Sequence, residues 1–388
     1  MRFAIAPLGE IAPAKPISLG RDPEELVWQL NLDHIEADTG LLLKRERKPF
    51  AKAGTSTHGF DNRHVLYSKL RPYLNKVLVP DEEGIGTTEL VPMLPDPGRL
   101  DRGYLAHYLM TKRFVAWITD HSSGAKMPRA TMADFWAHEI PLPPLPEQRR
   151  IAAILDRADA IRRKRQHAIE LADQFLRSVF LDLFGDPVTN PKGWDQVKLG
   201  KHCGVGSSKR VFVEEFVDAG IPFYRGTEIG QLGDGKVIEP HLFIARDHYE
   251  ALKEHSGVPQ AGDLLLPSIC HDGRIWKVET DQPFYFKDGR VLWIKVDHSE
   301  FNSDYLRSFL SFVFSARYAS IASGTTFAEL KIVNLKQLFV LQPPLAVQEK
   351  YSKIVAKANV GLCREKQGLD VVGRLFDSLS QRAFSGEM

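Results

Sequence analysis

The chain has 388 residues, 43% hydrophobic and 26% charged, and its 51 Lys+Arg against 49 Asp+Glu leave a net charge of +2. That apolar share excludes a disordered chain, and roughly 150 residues per domain gives two or three domains. A near-neutral balance means that any basic footprint for nucleic acid has to be local. Three scattered cysteines (Cys203, Cys270 and Cys363) are too few for a disulfide framework and suggest a reducing compartment. No apolar run approaches the ~20 residues that span a bilayer. The start, MRFAIAPLGEIAPAKP, places Pro7, Glu10 and Pro13 where a signal peptide needs unbroken apolar sequence. A cytoplasmic protein without a membrane segment is expected.

Residues 1–142 read as a mixed block. Strand-like runs occur at Val65–Tyr67 and Lys76–Val79, a helical stretch at 103–118, and a turn at Asp96-Pro97-Gly98. Basic residues cluster at Lys44, Arg45, Arg47, Lys48 and Lys52, then at Lys69, Arg71 and Lys76, with Lys126 and Arg129 just after Ser123-Gly124. Pro143-Pro144 forces extended backbone and ends the block. Residues 143–185 then form one long helix: no Pro or Gly interrupts 147–184, and Ala, Leu, Ile, Arg and Gln dominate. Its length is about 55 Å at 1.5 Å per residue, which needs a partner along its course.

The stretch FGDPVTNPKGW (184–194) reads as a linker into a second block, 186–342. That block has strand-like runs at Leu264–Leu266 and Val291–Val296 and a helical stretch at 304–322. Its turns are Gly233-Asp234-Gly235 and Lys287-Asp288-Gly289. Its basic residues are Lys209, Arg210, Arg225, Arg274 and Lys277, among Phe223, Tyr224 and Trp276. Neither block alternates strand and helix cleanly, so α+β fits better than a doubly wound sheet. Lys and Arg interleaved with aromatic and polar loop residues suit phosphate anchoring and base-edge readout, although such clusters are also ordinary solvated faces.

Residues 343–388 repeat the first helix at an offset of 200. Pro143/Pro343, Pro144/Pro344, Leu145/Leu345, Gln148/Gln348, Ile154/Ile354, Ala158/Ala358, Ser178/Ser378 and Phe184/Phe384 coincide, as do Ser123-Gly124 and Ser323-Gly324. Tyr104-Leu105 answers Tyr305-Leu306 with a slip of one. Taking Ile151 as heptad position a gives a seam of Ile151, Ile154, Ala158, Ile161, Arg165, Ala168, Ala172, Phe175, Val179 and Asp182, of which eight are apolar. The second helix gives Tyr351, Ile354, Ala358, Gly361, Glu365, Gly368, Val372, Leu375, Leu379 and Arg382. A pseudo-twofold arrangement of the two copies places the helices antiparallel and brings Arg165 and Glu365 to the centre of the seam. The alternative is that each helix packs on its own block.

Catalytic motifs are weak. Gly230-x4-Gly235-Lys236 is followed by Val237 and a strand-like VIEPHLF instead of the Ser/Thr and helix of a phosphate loop. His202-Cys203 and Cys270-His271 are adjacent pairs, poor geometry for zinc. Asn190-Pro191-Lys192-Gly193-Trp194 lacks the Asn/Asp-Pro-Pro-aromatic core of amino-methyltransferases, and no metal or catalytic residue is assigned.

The repeat of block plus long helix resembles the specificity subunit of type I restriction-modification systems over essentially the whole chain. IPLPPLPEQRRIAAILD (140–156), LFGDP (183–187) and LSQRAFSGEM (379–388) carry the resemblance. HVLYSKLRPYLNKV (64–77), SSGAKMPRATMADFWAHEIPLPPL (122–145) and GWDQVKLG…GIPFYRGTEI (193–229) support it. Copy two departs at AVQEKY, with Val347 where copy one has Glu147.

The resemblance implies two tandem pseudo-symmetric α/β target recognition domains separated by two long antiparallel helices in a coiled coil. Each domain reads half of a bipartite double-stranded DNA target, and the helices act as a spacer between the half-sites. Two methyltransferase subunits dock on the helices and methylate adenine N6, and restriction subunits add translocation and cleavage. S-adenosylmethionine, ATP and Mg belong to those partners, and this chain is no enzyme. Lys69, Arg71, Lys76, Lys209 and Arg210 then bind phosphate, while Arg129, Arg225 and Arg274 contact guanine. The competing expectations are a self-sufficient DNA-modifying or DNA-cleaving enzyme and a non-DNA coiled-coil scaffold.

Overall fold

A computed structural model describes residues 3–323 and 328–385. Gly324 of the repeated Ser-Gly pair and the terminal Gly386–Met388 lie outside the described residues. The chain forms two compact units, Met1–Gln166 with Gly368–Met388, and His167–Gln367. Each unit is α+β, and each takes one block together with part of both long helices.

In the first unit, strands run in the order Glu46–Pro49, Leu26–Leu30, Gly84–Thr87, Thr57–Phe60, beside a sheet of Val77–Leu78, Val65–Ser68 and Leu90–Met93. The ends of the block meet: Ala4–Pro7 pairs antiparallel with Glu139–Leu142. The expected helix over 103–118 is two helices, Arg102–Leu109 and Lys112–Asp120. Thr111 separates them because its hydroxyl accepts from the Phe114 N–H at 3.2 Å and caps the second.

The second unit repeats the construction. Gly204–Gly206, Val291–Lys295, Leu264–Pro267 and Trp276–Lys277 form one sheet. Phe216–Val217, Phe243–Ile244, Ile221–Tyr224 and Tyr285–Phe286 form another. Gln196–Lys198 pairs antiparallel with Phe339–Leu341 and again closes the block on itself. Helix Ser303–Ile321, kinked at Arg317, covers the expected stretch as far as 321. The expected strand at 237–243 forms only at Phe243–Ile244.

Closing each block delivers the chain to its Pro-Pro entry, and the long helices begin there as Leu145–Phe184 and Leu345–Ser385. The repeated glutamine explains the join. Gln148 is fully buried; its Oε1 accepts from the Asp101 N–H at 2.8 Å, and its Nε2 donates to the Arg99 and Pro143 carbonyls, each at 2.8 Å. Gln348 is equally buried and does the same with the Asn302 N–H (2.8 Å) and the Glu300 and Pro343 carbonyls (3.1 and 2.8 Å). One amide thereby satisfies the backbone at a helix start, at a closing strand and at the turn between. Tyr104 and Tyr305 add matching bonds, each hydroxyl donating at 2.9 Å to the carbonyl of Pro141 and of Leu341.

Within each unit the two long helices run antiparallel. In the first, Arg162 lies over the Phe376 ring at 5.8 Å; in the second, Phe180 and Phe184 each stand 5.6 Å from Tyr351. Position a of the expected seam is mostly inward: Ile151, Ala158 and Tyr351 are buried, and Val179 and Leu379 pack against the unit cores. Position d is not. Ile161, Phe175 and Leu375 are 48%, 54% and 52% exposed, and Ile154 and Ile354 are only half-buried. The second row lies one residue later. Leu155, Ile169, Val355, Leu362 and Ala383 are buried there, and Leu176, Leu183 and Phe376 pack against the cores. Ala358 on row a is half-buried, as are Arg165 and Glu365. At Gly368 the Arg165 guanidinium fills the space a Cβ would take, so this glycine admits the arginine.

The expected linker is an ordered helix end. Gly185 turns left-handed (φ 79°), Trp194 donates its indole N–H to the Phe184 carbonyl at 2.9 Å, and Lys192 donates to the Leu183 carbonyl at 3.0 Å. The helix end then packs forward: Phe184 lies 4.6 Å from Tyr305, as Phe384 lies 5.1 Å from Tyr104.

Leu155→Ala in the full chain is expected to cost about 2–5 kcal/mol of stability. Phe175→Ala at the rejected position is expected to cost less than about 0.5 kcal/mol. Thermal and urea unfolding of the two variants checks this, and the reverse ranking would contradict the corrected seam.

Candidate nucleic-acid interface

In the first unit, strand Val65–Ser68 runs out into Lys69-Leu70-Arg71. The Lys69 N–H donates to the Glu89 carbonyl at 3.0 Å, and the Ala130 N–H donates to the Lys69 carbonyl at 2.9 Å. Arg71 is left-handed (φ 49°), and its N–H donates to the Pro128 carbonyl at 2.7 Å. Two basic clusters far apart in sequence, Lys69/Arg71 and Lys126/Arg129, are thus laid side by side. Lys126 is exposed on the connection between the short strands Ser122–Ser123 and Arg129–Ala130. Arg129 is bidentate to Glu89, at 2.9 Å through Nη2 and 3.2 Å through Nε, which holds its guanidinium above the usual range. Arg71 Nε is buried without a hydrogen bond.

Two other basic groups are occupied internally. Lys76 donates to the Leu32 carbonyl at 2.6 Å, which draws its ammonium back into the block. The run at Lys44–Lys48 is a surface salt lattice. Arg45 pairs with Asp81 and Glu82, and Arg47 also reaches Glu82. Lys48 and Lys44 hold the Glu46 carboxyl down to about 2. That run is a solvated face, with its charge balanced in place.

In the second unit, three segments converge. The Gly289 N–H donates to Ser207 Oγ at 3.0 Å, the Lys209 N–H to the Tyr285 hydroxyl at 3.0 Å, and the Lys287 N–H to the Tyr224 carbonyl at 2.9 Å. Lys209, Arg210 and Arg225 therefore share one loop end with Lys287, which the sequence places in a turn, and with Arg290, a cation not singled out above. The signal was present in Lys287-Asp288-Gly289-Arg290, a turn bracketed by two cations. Arg210 bonds Asp288 at 3.0 Å, and Arg225, just before helix Gly226–Gly233, bonds Glu228 at 2.7 Å. Arg274 packs against Gly230 of that helix and bonds Asp272 at 2.6 Å.

Lys277 is placed differently. Its Nζ lies 2.7 Å from Asp304 Oδ1, and Ser352 Oγ donates to Asp304 Oδ2 at 2.6 Å. Asp304 is buried, so this triad ties the edge of the sheet to helix Ser303–Ile321 and to the second long helix. Arg210, Arg225 and Arg274 each hold a carboxylate, while Lys69, Lys126 and Lys209 carry no ion pair among the described residues.

Burial pushes the Cys203 thiol up to about 11 and the Cys270 thiol up to about 12, environments of inert core cysteines. Among the described residues no group of three or more His, Cys, Asp or Glu is placed to hold a metal ion. No helix of the described residues is long and apolar enough to cross a membrane.

Residues 81–171 match the family model described as the type I restriction modification DNA specificity domain. A type I restriction enzyme specificity subunit of Haemophilus influenzae is 27% identical over 264 residues, 67% of this chain and 64% of that protein. A specificity subunit of Methanocaldococcus jannaschii is 25% identical over 310 residues, 74% of this chain and 68% of that one. The chain carries a match to the type I DNA specificity domain and is similar to type I specificity subunits. The match spans just under two thirds of the Haemophilus relative and 36% of an Escherichia coli one. By fold, the chain is similar to the S subunit of a type I restriction-modification system from M. genitalium. The TM-score is 0.61 at 17% identity, covering 98% of this chain and 96% of that one. A chain from a structure titled for the complex assembly and conformational transition of the type I R-M system matches with a TM-score of 0.53 at 18% identity, over 100% and 98%.

Lys277→Ala leaves Asp304 as an unpaired buried carboxylate and is expected to destabilise the chain by about 3–5 kcal/mol. Lys209→Ala is expected to change stability by less than about 0.5 kcal/mol. Unfolding midpoints check the contrast; equal effects would show that Lys277 is not a structural tie.

Proposed function

We propose that this chain is the DNA-recognition subunit of a type I restriction-modification complex. Each unit reads one half of a bipartite double-stranded target. The observation that carries the reading is the duplication of one construction. Two blocks close by the same strand pairing, lock to a long helix through the same buried glutamine, and bear exposed cations on loops at a sheet edge.

Lys69, Lys126 and Lys209 supply phosphate contacts, which fix position and set salt dependence. Arg225 and Arg274 of the second unit have the planar donor fork that reads guanine, worth about 1–3 kcal/mol of discrimination per bidentate contact. Each long helix, 40 and 41 residues, extends about 60 Å. That length supports a spacer role for the helices across the unread base pairs of the target.

The partners in this reading are two methyltransferase subunits and the restriction subunits. S-adenosylmethionine, ATP and Mg reside on those partners, in the cytoplasm, and this chain contributes recognition without chemistry. The exposed apolar residues left over from the helix seam, Ala168, Leu171 and Phe175 on the first helix and Val360 on the second, give the methyltransferase subunits an apolar face to dock on.

Sequencing of host DNA for methylated adenine, with and without this gene, is expected to show one bipartite motif that disappears with the gene. Arg225→Ala is expected to relax one base pair of one half-site and leave the other intact. Uniform loss of methylation across all sequences would show that Arg225 only holds phosphate.

A further inference from the structure

The two units can be superposed residue by residue at one place through their backbone hydrogen bonds. Strands Val65–Ser68 and Leu90–Met93 pair as Leu264–Pro267 and Val291–Lys295 do. Beyond them, the Lys69 N–H donates to the Glu89 carbonyl as the Ser268 N–H donates to the Arg290 carbonyl, at 3.0 and 2.9 Å. The Ala130 N–H donates to the Lys69 carbonyl as the Leu330 N–H donates to the Ser268 carbonyl, at 2.9 and 2.7 Å. Arg129 pairs with Ser123 across a short antiparallel bridge, as Glu329 pairs with Ser323. Position 89 therefore corresponds to 290, and position 129 to 329.

Each unit joins these two positions by an ion pair of opposite polarity. In the first, the strand position is Glu89 and the hairpin position is Arg129, with Nη2 and Oε1 2.9 Å apart. In the second, the strand position is Arg290 and the hairpin position is Glu329, 3.1 Å apart, with Ser268 Oγ donating to the same Glu329 oxygen at 2.7 Å. What the units share is the pair, and the cation has changed sides.

We propose that this pair is a polarity-keyed latch that fastens each hairpin to the sheet of its own unit, and that Arg129 is a positioning residue instead of a base reader. The key follows from the signs. A hairpin docked on the wrong sheet would set Arg129 against Arg290 and Glu329 against Glu89. In a chain with a 200-residue internal repeat, two docking places with the same backbone hydrogen bonds make such exchange a competitor during folding. An exposed ion pair alone contributes little, but like charges in the exchanged state double the contrast between right and wrong docking. The latch also sets where the first hairpin presents Lys126, a consequence that rests on the DNA-recognition reading.

Hydrogen exchange of the full-length chain, followed on peptides spanning 119–135, tests the latch without DNA. Arg129→Glu is expected to speed exchange of this segment roughly tenfold, the sum of a lost attraction and a new repulsion. Arg129→Glu with Glu89→Arg is expected to restore protection. No change in the single variant, or no rescue in the double, overturns the latch. In the assembled complex the Arg129→Glu/Glu89→Arg protein is expected to methylate the same sequence as the wild type. A base change confined to one half-site would make Arg129 a reader and overturn its positioning role. If the wild-type complex methylates no bipartite target, the DNA reading fails while the exchange result still decides the latch.

Discussion

Two buried glutamine amides, Gln148 and Gln348, hold the architecture together at its joints. Each makes three hydrogen bonds in a site closed to water, to a helix-cap N–H, to a loop carbonyl and to the proline carbonyl that opens the long helix. A single such bond contributes about 0.5–1.5 kcal/mol net, but losing the amide would strand three backbone groups in the interior, a larger penalty. Block and helix are thereby fixed to each other in direction as well as position. The Pro-Pro pair supplies the other half of the constraint by holding the approach extended.

The far ends of the helices are fixed as firmly, and to the other block. Phe184 ends the first helix within the core that holds Tyr305, and Phe384 ends the second beside Tyr104. Each helix therefore starts in one unit and finishes in the other, which is why the compact units divide both helices near their midpoints. The repeat is tandem along the sequence, yet each unit draws on both copies. Neither unit is complete without residues from both copies, so the helices are structural members of two cores at once.

Much of this was legible in the sequence because its causes are local. The prolines, the glutamine and the uninterrupted helix former run announced the joints and the rods; Tyr104 and Tyr305 announced their own equivalence. The seam phase was not legible from the first helix alone. Ile154, Ile161, Ala168 and Phe175 are as apolar as Leu155, Ile169, Leu176 and Leu183, so counting apolar residues ties the two rows. The second helix breaks the tie, since Val355, Leu362, Leu369, Phe376 and Ala383 are all apolar while the rejected row holds two glycines and Arg382. The candidate interface was harder to read, because charge in sequence does not say what faces it. Arg45 and Arg47 meet acids from the 81–82 turn, and Lys277 meets Asp304 across a long sequence separation. Lys287 and Arg290 stood out only once three distant segments had been brought to one loop end.

If the chain recognises DNA as proposed, the long helices are a ruler between the half-sites. Inserting seven residues into each helix, beside Arg165 and beside Glu365, preserves the heptad phase and lengthens the rods by about 10 Å, close to three base pairs of B-DNA at about 34 Å per turn. Mapping methylated adenine in cells carrying the lengthened chain is expected to show both half-sites unchanged and the unread gap between them longer by about three base pairs. An unchanged gap, or altered half-sites, would contradict it.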